Sequence, residues 1–310
     1  MGKKTSITVQ GAFSEYEYAI CELDEDTQIW YKARLRRFAE WCARKRLHVG
    51  ELKPTHISAY LQELRSQPSE TTGKPLATST LHGHMRTIKT FLFWCARPPQ
   101  RYLSVEVPQN LVMPKIDITV IQPFSREQIK ALEVTVTQNH FPIMVARDKA
   151  ILTVLLDTGM RAEELCTLTL ENVHITVKEG YVLIMGKGRK QREVPLGRKS
   201  RMLLDQYIKR FRPNEEDPTV FLSHEHVPLT TNALRQMFKR WGRRAKITGV
   251  RCSPHTCRHT YAINFLLQGG DLAILSRLLG HNSLATTEIY LRAMQAIQAR
   301  KQGKSVMDHL

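Results

Sequence analysis

Residues 173–196 have the sequence VHITVKEGYVLIMGKGRKQREVPL, in which three short runs are rich in β-forming residues. The rest of the 310-residue chain has mostly the residue spacing of helices. The runs are VHITV (173–177), YVLIM (181–185) and REVPL (192–196). They are separated by a segment with a Glu-Gly pair and by the polar segment GKGRKQ, both of which are typical of turns. Runs joined in this way predict a small antiparallel sheet of three strands.

Helical spacing of apolar residues marks the region before this sheet. Residues 28–46 place four large apolar side chains near one face of a helix. Two further stripes of the same kind run over 57–64 and 81–95, and the second ends just before Pro98 and Pro99. We therefore predict that the first hundred residues are helical, with the apolar stripes buried as a core rather than exposed for ligand stacking.

The region that follows these helices predicts a linker. From about Val105 to Pro123 the chain has three prolines and few strong helix formers, which favours an extended segment. Ser125, with Gln128 three residues later, then predicts a capping box that opens a new helix. The boundary between two domains is expected in this linker.

The fold that we predict is mainly α with a small antiparallel β-sheet. A helical N-terminal domain (1–115) precedes a mixed α+β domain (116–310). In the second domain one helix is predicted to end at Gly159 and another to begin near Arg161. After the sheet, helices are expected to return beyond Ser200 and to continue to the end of the chain.

The charge of the chain predicts a polyanionic partner. The sequence has 46 Lys and Arg against 29 Asp and Glu, a formal net charge of +17. Both predicted domains carry the excess, which favours two folded pieces that face one extended nucleic acid. An anionic membrane surface fits less well, because no basic helix also has a wide apolar face. No stretch is apolar enough to span a bilayer, and the first residues show no secretory signal.

The cysteines predict a reducing compartment. Six are dispersed through the chain, which is not the pattern of a disulfide framework, so we expect a cytoplasmic protein. Cys252, His255, Cys257 and His259 are four potential metal ligands within eight residues. Structural zinc sites usually take two ligands from each of two separated segments, so we predict no metal here.

Four segments carry the chemistry of this chain. They are TGMRAEEL (158–165), GKGRKQREVPL (186–196), HTCRHTYA (255–262) and LLGHNSLATTEIY (278–290). Each segment alone occurs in many unrelated proteins, but in this order and at these intervals they resemble the tyrosine recombinases, also called the phage integrase family. The resemblance covers the whole second domain. It implies that this is the tyrosine recombinase catalytic domain, and the helical first domain fits the family's core-binding domain in size and position.

The resemblance implies a complete set of catalytic residues and two supporting ones. The catalytic positions are Arg161, Lys187, His255, Arg258, His281 and Tyr290, and the supporting ones are Glu164 and His259. Taken singly, each has an ordinary structural explanation, such as a surface ion pair for Arg161 and Glu164. Their joint order favours the catalytic interpretation. Cys257 stands where a Leu is common in the family.

The chemistry of these residue types agrees with the implied roles. Two arginine forks suit the non-bridging oxygens of a phosphodiester under attack, and a tyrosine with an ordinary pKa of about 10 needs a base. We predict His255 as that base and Lys187 as the acid that protonates the leaving 5′-oxygen. His281 is expected to donate a hydrogen bond to the phosphate. Glu164 is expected to hold Arg161 in register.

Two basic runs are predicted to hold DNA rather than to cut it. Residues 187–201 contain seven Lys or Arg against one acid, and 235–251 contain seven and no acid. In the second run Arg235, Lys239 and Arg243 share one helical face. The predicted DNA contacts are Arg189, Lys190, Arg192, Arg235, Lys239, Arg243 and Arg244.

The sequence thus predicts a site-specific recombinase that cuts and rejoins duplex DNA through a 3′-phosphotyrosyl link, without a cofactor. The family resemblance implies a homotetramer on paired sites and is compatible with a mobile element. It also favours docking of the C-terminal tail (291–310), through Leu291, Met294 and Ile297, on a neighbouring protomer. The residues alone leave open the alternative that this apolar edge folds back on its own domain. A type IB topoisomerase-like relaxing activity and a non-catalytic DNA-binding regulator are the alternatives. Integration, excision, resolution and inversion are not separated by the sequence.

Overall fold

A computed structural model describes residues 7–68, 73–115, 121–186, 191–281 and 283–303. The chain divides into two compact units, Met1–Ile118 and Thr119–Leu310. Among the helices within the described ranges, none combines the length and the apolar character that crossing a bilayer requires.

The first unit is built of helices. They are α1 (Val9–Ala19), α2 (Glu25–Arg44), α3 (Pro54–Ser66), α4 (Thr78–Ala96) and α5 (Glu106–Gln109). Asp24 caps α2 by accepting a hydrogen bond from the Thr27 amide, and Pro54 starts α3, where its missing N–H costs no hydrogen bond. The predicted stripes are buried in one core, with Phe38, Ile57 and Ile88 all fully enclosed.

The predicted linker is more ordered than the sequence suggested. It contains the short helix α5, and Leu103 and Leu111 on either side of it are buried in the core of the first unit. Pro108 is tolerated because it lies in the first turn, where backbone amides have no partner within the helix. The prediction of an extended segment is therefore wrong for Glu106–Gln109.

Eight helices are described in the second unit. They are α6 (Arg126–Thr135), α7 (Pro142–Thr158), α8 (Ala162–Cys166), α9 (Arg198–Gln206), α10 (Thr231–Arg244), α11 (Pro254–Leu267), α12 (Leu272–Leu279) and α13 (Leu284–Gln302). The capping box at α6 is confirmed, with Gln128 N donating to Ser125 Oγ at 3.2 Å and Ser125 N donating to Gln128 Oε1 at 2.9 Å. Helix α7 is apolar on most sides and lies in the core of this unit.

The predicted sheet is confirmed. Its strands are β1 (Val173–Ile175), β2 (Gly180–Met185) and β3 (Gln191–Pro195), paired antiparallel in the order β1-β2-β3. Val182 pairs with Val194, and both are buried together with Ile184. Alternate residues of β2 and β3 therefore face the core of the second unit.

Helices do not continue without interruption after the sheet, as the sequence had suggested. Helix α9 passes into one π-helical turn (Tyr207–Phe211), and residues 212–230 are irregular with isolated β-bridges. Prolines at 213, 218 and 228 explain the break, because proline cannot donate the hydrogen bond that a helix interior needs. The buried Arg147 holds this segment by donating to the Leu222 carbonyl at 2.9 Å.

The described part of the C-terminal tail packs on its own unit. Helix α13 runs from Leu284 through Tyr290 to Gln302 without a break. Leu291, Met294 and Ile297 pack against a cluster formed by α11 and α12. These three side chains therefore pack on their own unit, and docking of the tail on a neighbouring protomer stays a prediction.

Candidate active site

The structure brings seven of the eight predicted catalytic and supporting residues together in the second unit. They come from the α7–α8 turn, from α8 and α11, and from the α12–α13 region. The seven residues are Arg161, Glu164, His255, Arg258, His259, His281 and Tyr290. Lys187, Arg189 and Lys190 lie outside the described residues.

Arg258 forms the buried centre of this cluster. It is 2% exposed, and its Nη1 donates to the Gly159 carbonyl at 2.8 Å. Its Nη2 donates to the Leu279 carbonyl at 2.7 Å and to His281 Nε2 at 2.8 Å. Burial and the nearby Arg161 lower the pKa of Arg258 to about 10, so it is charged at neutral pH. The guanidinium is thereby fixed in one orientation.

A tight turn places Arg161. Helix α7 ends at Gly159 as predicted, with a left-handed φ of 61°. A Cβ on Gly159 would lie 2.4 Å from Cδ1 of Tyr261, so both the conformation and the space require glycine. Arg161 follows as the N-cap of α8.

Glu164 holds Arg161 from two directions. One carboxylate oxygen accepts from the Arg161 backbone amide at 2.7 Å, and the other accepts from Arg161 Nη1 at 2.8 Å. Arg161 Nη2 also donates to the Gly280 carbonyl at 3.2 Å. The Arg161 side chain is 43% exposed, in contrast to Arg258. Arg161 is therefore the arginine that an incoming phosphate can reach directly.

Arg192 belongs to the same network, not to an exposed DNA-binding face. Its side chain is 11% exposed, its Nη2 donates to Glu164 Oε2 at 2.7 Å, and its Nε donates to the Leu278 carbonyl at 2.8 Å. The prediction of Arg192 as a surface DNA contact is thus corrected. The charge run around it gave no sign that one of its members faces inward.

His281 is an acceptor in this arrangement. Because the Arg258 nitrogen can only donate, His281 Nε2 must accept, so Nδ1 carries the proton and donates to Thr287 Oγ1 at 2.8 Å. Thr287 is fully buried, and no motif in the sequence marks it as part of the site. The predicted donation from His281 to a phosphate requires its contact with Arg258 to be released first.

The hydroxyl of Tyr290 lies beside His259 rather than His255. Tyr290 Oη and His259 Nδ1 are 3.3 Å apart, whereas the described residues include no hydrogen bond between Tyr290 and His255. The ring of His255 packs edge-on against His259, with centroids 4.3 Å apart. Tyr290 itself is 2% exposed. In the structure, therefore, the proton acceptor nearest to the Tyr290 hydroxyl is His259, which was predicted only as a supporting residue.

The three histidines are neutral at pH 7. Burial, followed by the nearby charges of Arg258 and other cationic groups, lowers the pKa of His281 to about 4 and that of His255 below its ordinary value. Burial, His255 and Arg258 lower the pKa of His259 to about 4. Burial raises the pKa of Tyr290, and the charge of Arg258 only partly offsets this. The resting site thus pairs a protonated tyrosine with a neutral imidazole.

The basic face predicted on α10 is exposed. Arg235, Lys239, Arg243 and Arg244 all lie on the surface, while Met237, Phe238 and Trp241 are buried on the opposite side. The amphipathic pattern of this helix is therefore as predicted.

Within the described ranges, no group of three or more His, Cys, Asp or Glu side chains is arranged to hold a metal ion. Cys257 is fully enclosed in the core between elements of the second unit. It therefore faces away from the His255 and His259 rings that share its helix.

Comparison with known proteins gives consistent similarities. The sequence model of the phage integrase family matches residues 123–296. The chain is 30% identical over 272 residues to tyrosine recombinase XerD of Vibrio cholerae, covering 86% of each protein. It is 31% identical over 272 residues to tyrosine recombinase XerC of Thermodesulfovibrio yellowstonii, covering 84% of this chain and 83% of that protein.

Solved structures share the fold. The XerH site-specific recombinase, bound to palindromic difH substrate in a post-cleavage complex, aligns with a TM-score of 0.71 at 18% identity, covering 96% of this chain and 90% of XerH. The Tn1549 transposon integrase in complex with transposon right end DNA aligns with a TM-score of 0.73 at 15% identity, covering 96% of this chain and 99% of the integrase chain.

Proposed function

This chain belongs to the phage integrase family, and we propose that it is a site-specific recombinase that cuts and rejoins duplex DNA through a 3′-phosphotyrosyl intermediate. One arrangement carries the proposal: the Tyr290 hydroxyl lies 3.3 Å from a neutral imidazole, in a cluster with Arg161 and Arg258. A phosphodiester that reached this cluster would meet a nucleophile, a proton acceptor and two positive charges.

The two arginines contact the phosphate in different ways. The exposed fork of Arg161 meets the phosphate first, and Arg258 presents a fixed charge behind it. Both stabilise the negative charge that grows on the non-bridging oxygens during attack. Because Tyr290 is 2% exposed, DNA binding must open a path to its hydroxyl.

The proton of Tyr290 passes to His259 in this mechanism. The low pKa of His259 makes it a weak base in the free protein, so the tyrosine stays protonated until DNA arrives. A bound phosphate adds negative charge beside the ring and favours the imidazolium, which raises that pKa at the moment of attack. Tyr290 is therefore expected to lose its proton only when a phosphate is bound.

We expect His259→Gln to slow formation of the covalent adduct by about a hundredfold, because glutamine can bond the tyrosine but cannot take its proton. His255→Gln, the matched control one helical turn away, should have a smaller effect. Single-turnover cleavage of a nicked duplex measures both rates. A larger defect in His255→Gln would restore the base predicted from the sequence.

Lys187 is proposed as the acid that protonates the leaving 5′-oxygen. Lys187→Ala should slow cleavage of normal DNA by about a hundredfold but have little effect on a duplex whose 5′-bridging oxygen is sulfur, since a thiolate leaves without an acid. The two rates are measured side by side on the same sequence. Equal defects on both substrates would assign the proton to another group.

The rest of the chain serves DNA binding and assembly. Residues 1–115 are proposed as the core-binding domain and 116–310 as the catalytic domain. Contacts to the phosphate backbone or to a groove of the DNA are proposed for Arg189, Lys190 and the exposed α10 residues Arg235, Lys239, Arg243 and Arg244. We further propose that four protomers assemble on two paired sites. The protein is proposed to act in the cytoplasm and to serve a mobile element. The covalent link retains the free energy of the cut bond, so resealing requires no ATP and no cofactor.

The target DNA sequence can be identified by selecting the duplexes that the protein cleaves. A pool of nicked duplexes with randomised flanks is incubated with the chain, and DNA that stays attached to protein in detergent is recovered and sequenced. The nick lets the 5′-hydroxyl fragment diffuse away, so cleavage is trapped. Recovery of one enriched sequence supports a site-specific enzyme, an adduct without sequence enrichment favours the topoisomerase-like alternative, and no adduct favours the regulator.

A further inference from the structure

Three consecutive backbone carbonyls at the end of α12 each receive a hydrogen bond from a different arginine. The Leu278 carbonyl accepts from Arg192 at 2.8 Å, that of Leu279 from Arg258 at 2.7 Å, and that of Gly280 from Arg161 at 3.2 Å. Carbonyls at a helix C-terminus lack partners within the helix and carry partial negative charge. This helix end therefore serves as a common anchor for the arginines of the site.

Arg192 differs from the other two in its place in the fold, because it connects the sheet to two helices. It leaves β3, is 11% exposed, and joins Glu164 on α8 to the carbonyl of Leu278 on α12. Glu164 uses its second oxygen on Arg161 Nη1. The chain of contacts thus runs from the sheet through Arg192 and Glu164 to the exposed arginine.

The charges along this path support one another. Burial alone would raise the pKa of Glu164, but hydrogen bonds from Arg192 and from the backbone and side chain of Arg161 outweigh it and hold that pKa below its ordinary value. Without Arg192, the Glu164 side chain, which is 9% exposed, would keep Arg161 as its one charged partner among the residues that the structure describes. Glu164 would then be free to follow Arg161 or to turn toward water.

Space around Arg192 is also restricted. A Cβ on Gly280 would lie 2.8 Å from Arg192 Nη1, and Gly280 has a left-handed φ of 64°. The glycine that ends α12 thus lets the loop carrying His281 close directly over this guanidinium.

We propose that Arg192 is a positioning residue for strand cleavage: it fixes Glu164 and, through Glu164, the orientation of Arg161 toward the scissile phosphate. This inference rests on the proposed function. The role predicts a specific defect in cleavage. A misplaced Arg161 slows cleavage only when the scissile phosphate carries negative charge that Arg161 would stabilise.

The test compares two substrates with the enriched duplex sequence, one with a normal scissile phosphate and one with a neutral methylphosphonate at that position. We expect Arg192→Gln to slow adduct formation on the phosphodiester by about tenfold to a hundredfold, the range for residues that orient a functional group. On the methylphosphonate the same variant should approach the wild-type rate. Binding of the intact duplex should change little.

Arg147→Gln is the matched control. Arg147 is likewise buried in the second unit, bonded to a carboxylate (Asp148) and to a carbonyl (Leu222), but it is outside the network of Glu164. Its loss should weaken the fold and slow adduct formation equally on both substrates. If Arg192→Gln does not fold, Arg192→Lys, which keeps a charge beside Glu164 but not the fork, should show a smaller defect confined to the phosphodiester.

Equal defects of the Arg192 variant on both substrates, or no defect on the phosphodiester, would overturn the positioning role. Failure of the wild-type protein to form an adduct on either substrate would instead remove the proposed function itself. The two failures are therefore distinguishable in one experiment.

Discussion

Replacing Tyr290 with Phe is expected to abolish the covalent protein–DNA adduct while DNA binding survives. The substitution removes one oxygen from a side chain that is 2% exposed and leaves its ring packed in the α11–α13 cluster. The lost hydroxyl contacts His259 and Arg258, and neither residue belongs to the exposed basic face of α10. Without it there is no nucleophile to form the link.

The measurement is trapping on the nicked duplex in a denaturing gel, beside a binding assay with intact DNA. Tyr261→Phe is the matched control, because Tyr261 is a partly buried tyrosine that packs against the same cluster. It should form the adduct at nearly the wild-type rate. An adduct that persists in Tyr290→Phe would mean that another residue attacks the phosphate.

Arg258→Lys is expected to reduce cleavage by about a thousandfold, although the positive charge is kept. The guanidinium donates to the carbonyls of Gly159 and Leu279 and to His281 at the same time, which a single ammonium at the end of a flexible chain cannot reproduce. The charge that stabilises the attacked phosphate would therefore be misplaced.

Single-turnover cleavage and thermal unfolding are measured on the same preparation. Arg251→Lys makes the same chemical change on an exposed side chain just before α11 and should leave the rate nearly unchanged. We expect Arg258→Lys to lose far more activity than stability. A rate within tenfold of wild type would show that charge alone, without the fork, is sufficient at this position.

Much of the fold followed from local patterns. The three-stranded sheet, the capping box at Ser125 and the helix end at Gly159 were predicted because each depends on residues close together in the sequence. The short helix α5 was missed because a proline in a first turn looks the same as a proline in a loop. The break at 212–230 was missed although its prolines were visible.

The site was predicted in its composition more than in its contacts. The order of the motifs identified the arginines, histidines and tyrosine, but not that His259 rather than His255 lies beside Tyr290. That choice depends on how α11 and α13 cross. The inward orientation of Arg192 likewise depends on contacts between residues far apart in the chain, which a run of basic residues does not reveal.

The most direct test of the central claim is a supercoiled plasmid that carries two directly repeated copies of the enriched site, incubated with the purified chain in the presence of a chelator and without ATP. A site-specific recombinase should convert it into two smaller circles, free or interlinked, each with one copy of the site. Relaxation of the plasmid without any exchange between the sites would contradict recombination and indicate the topoisomerase-like reaction instead.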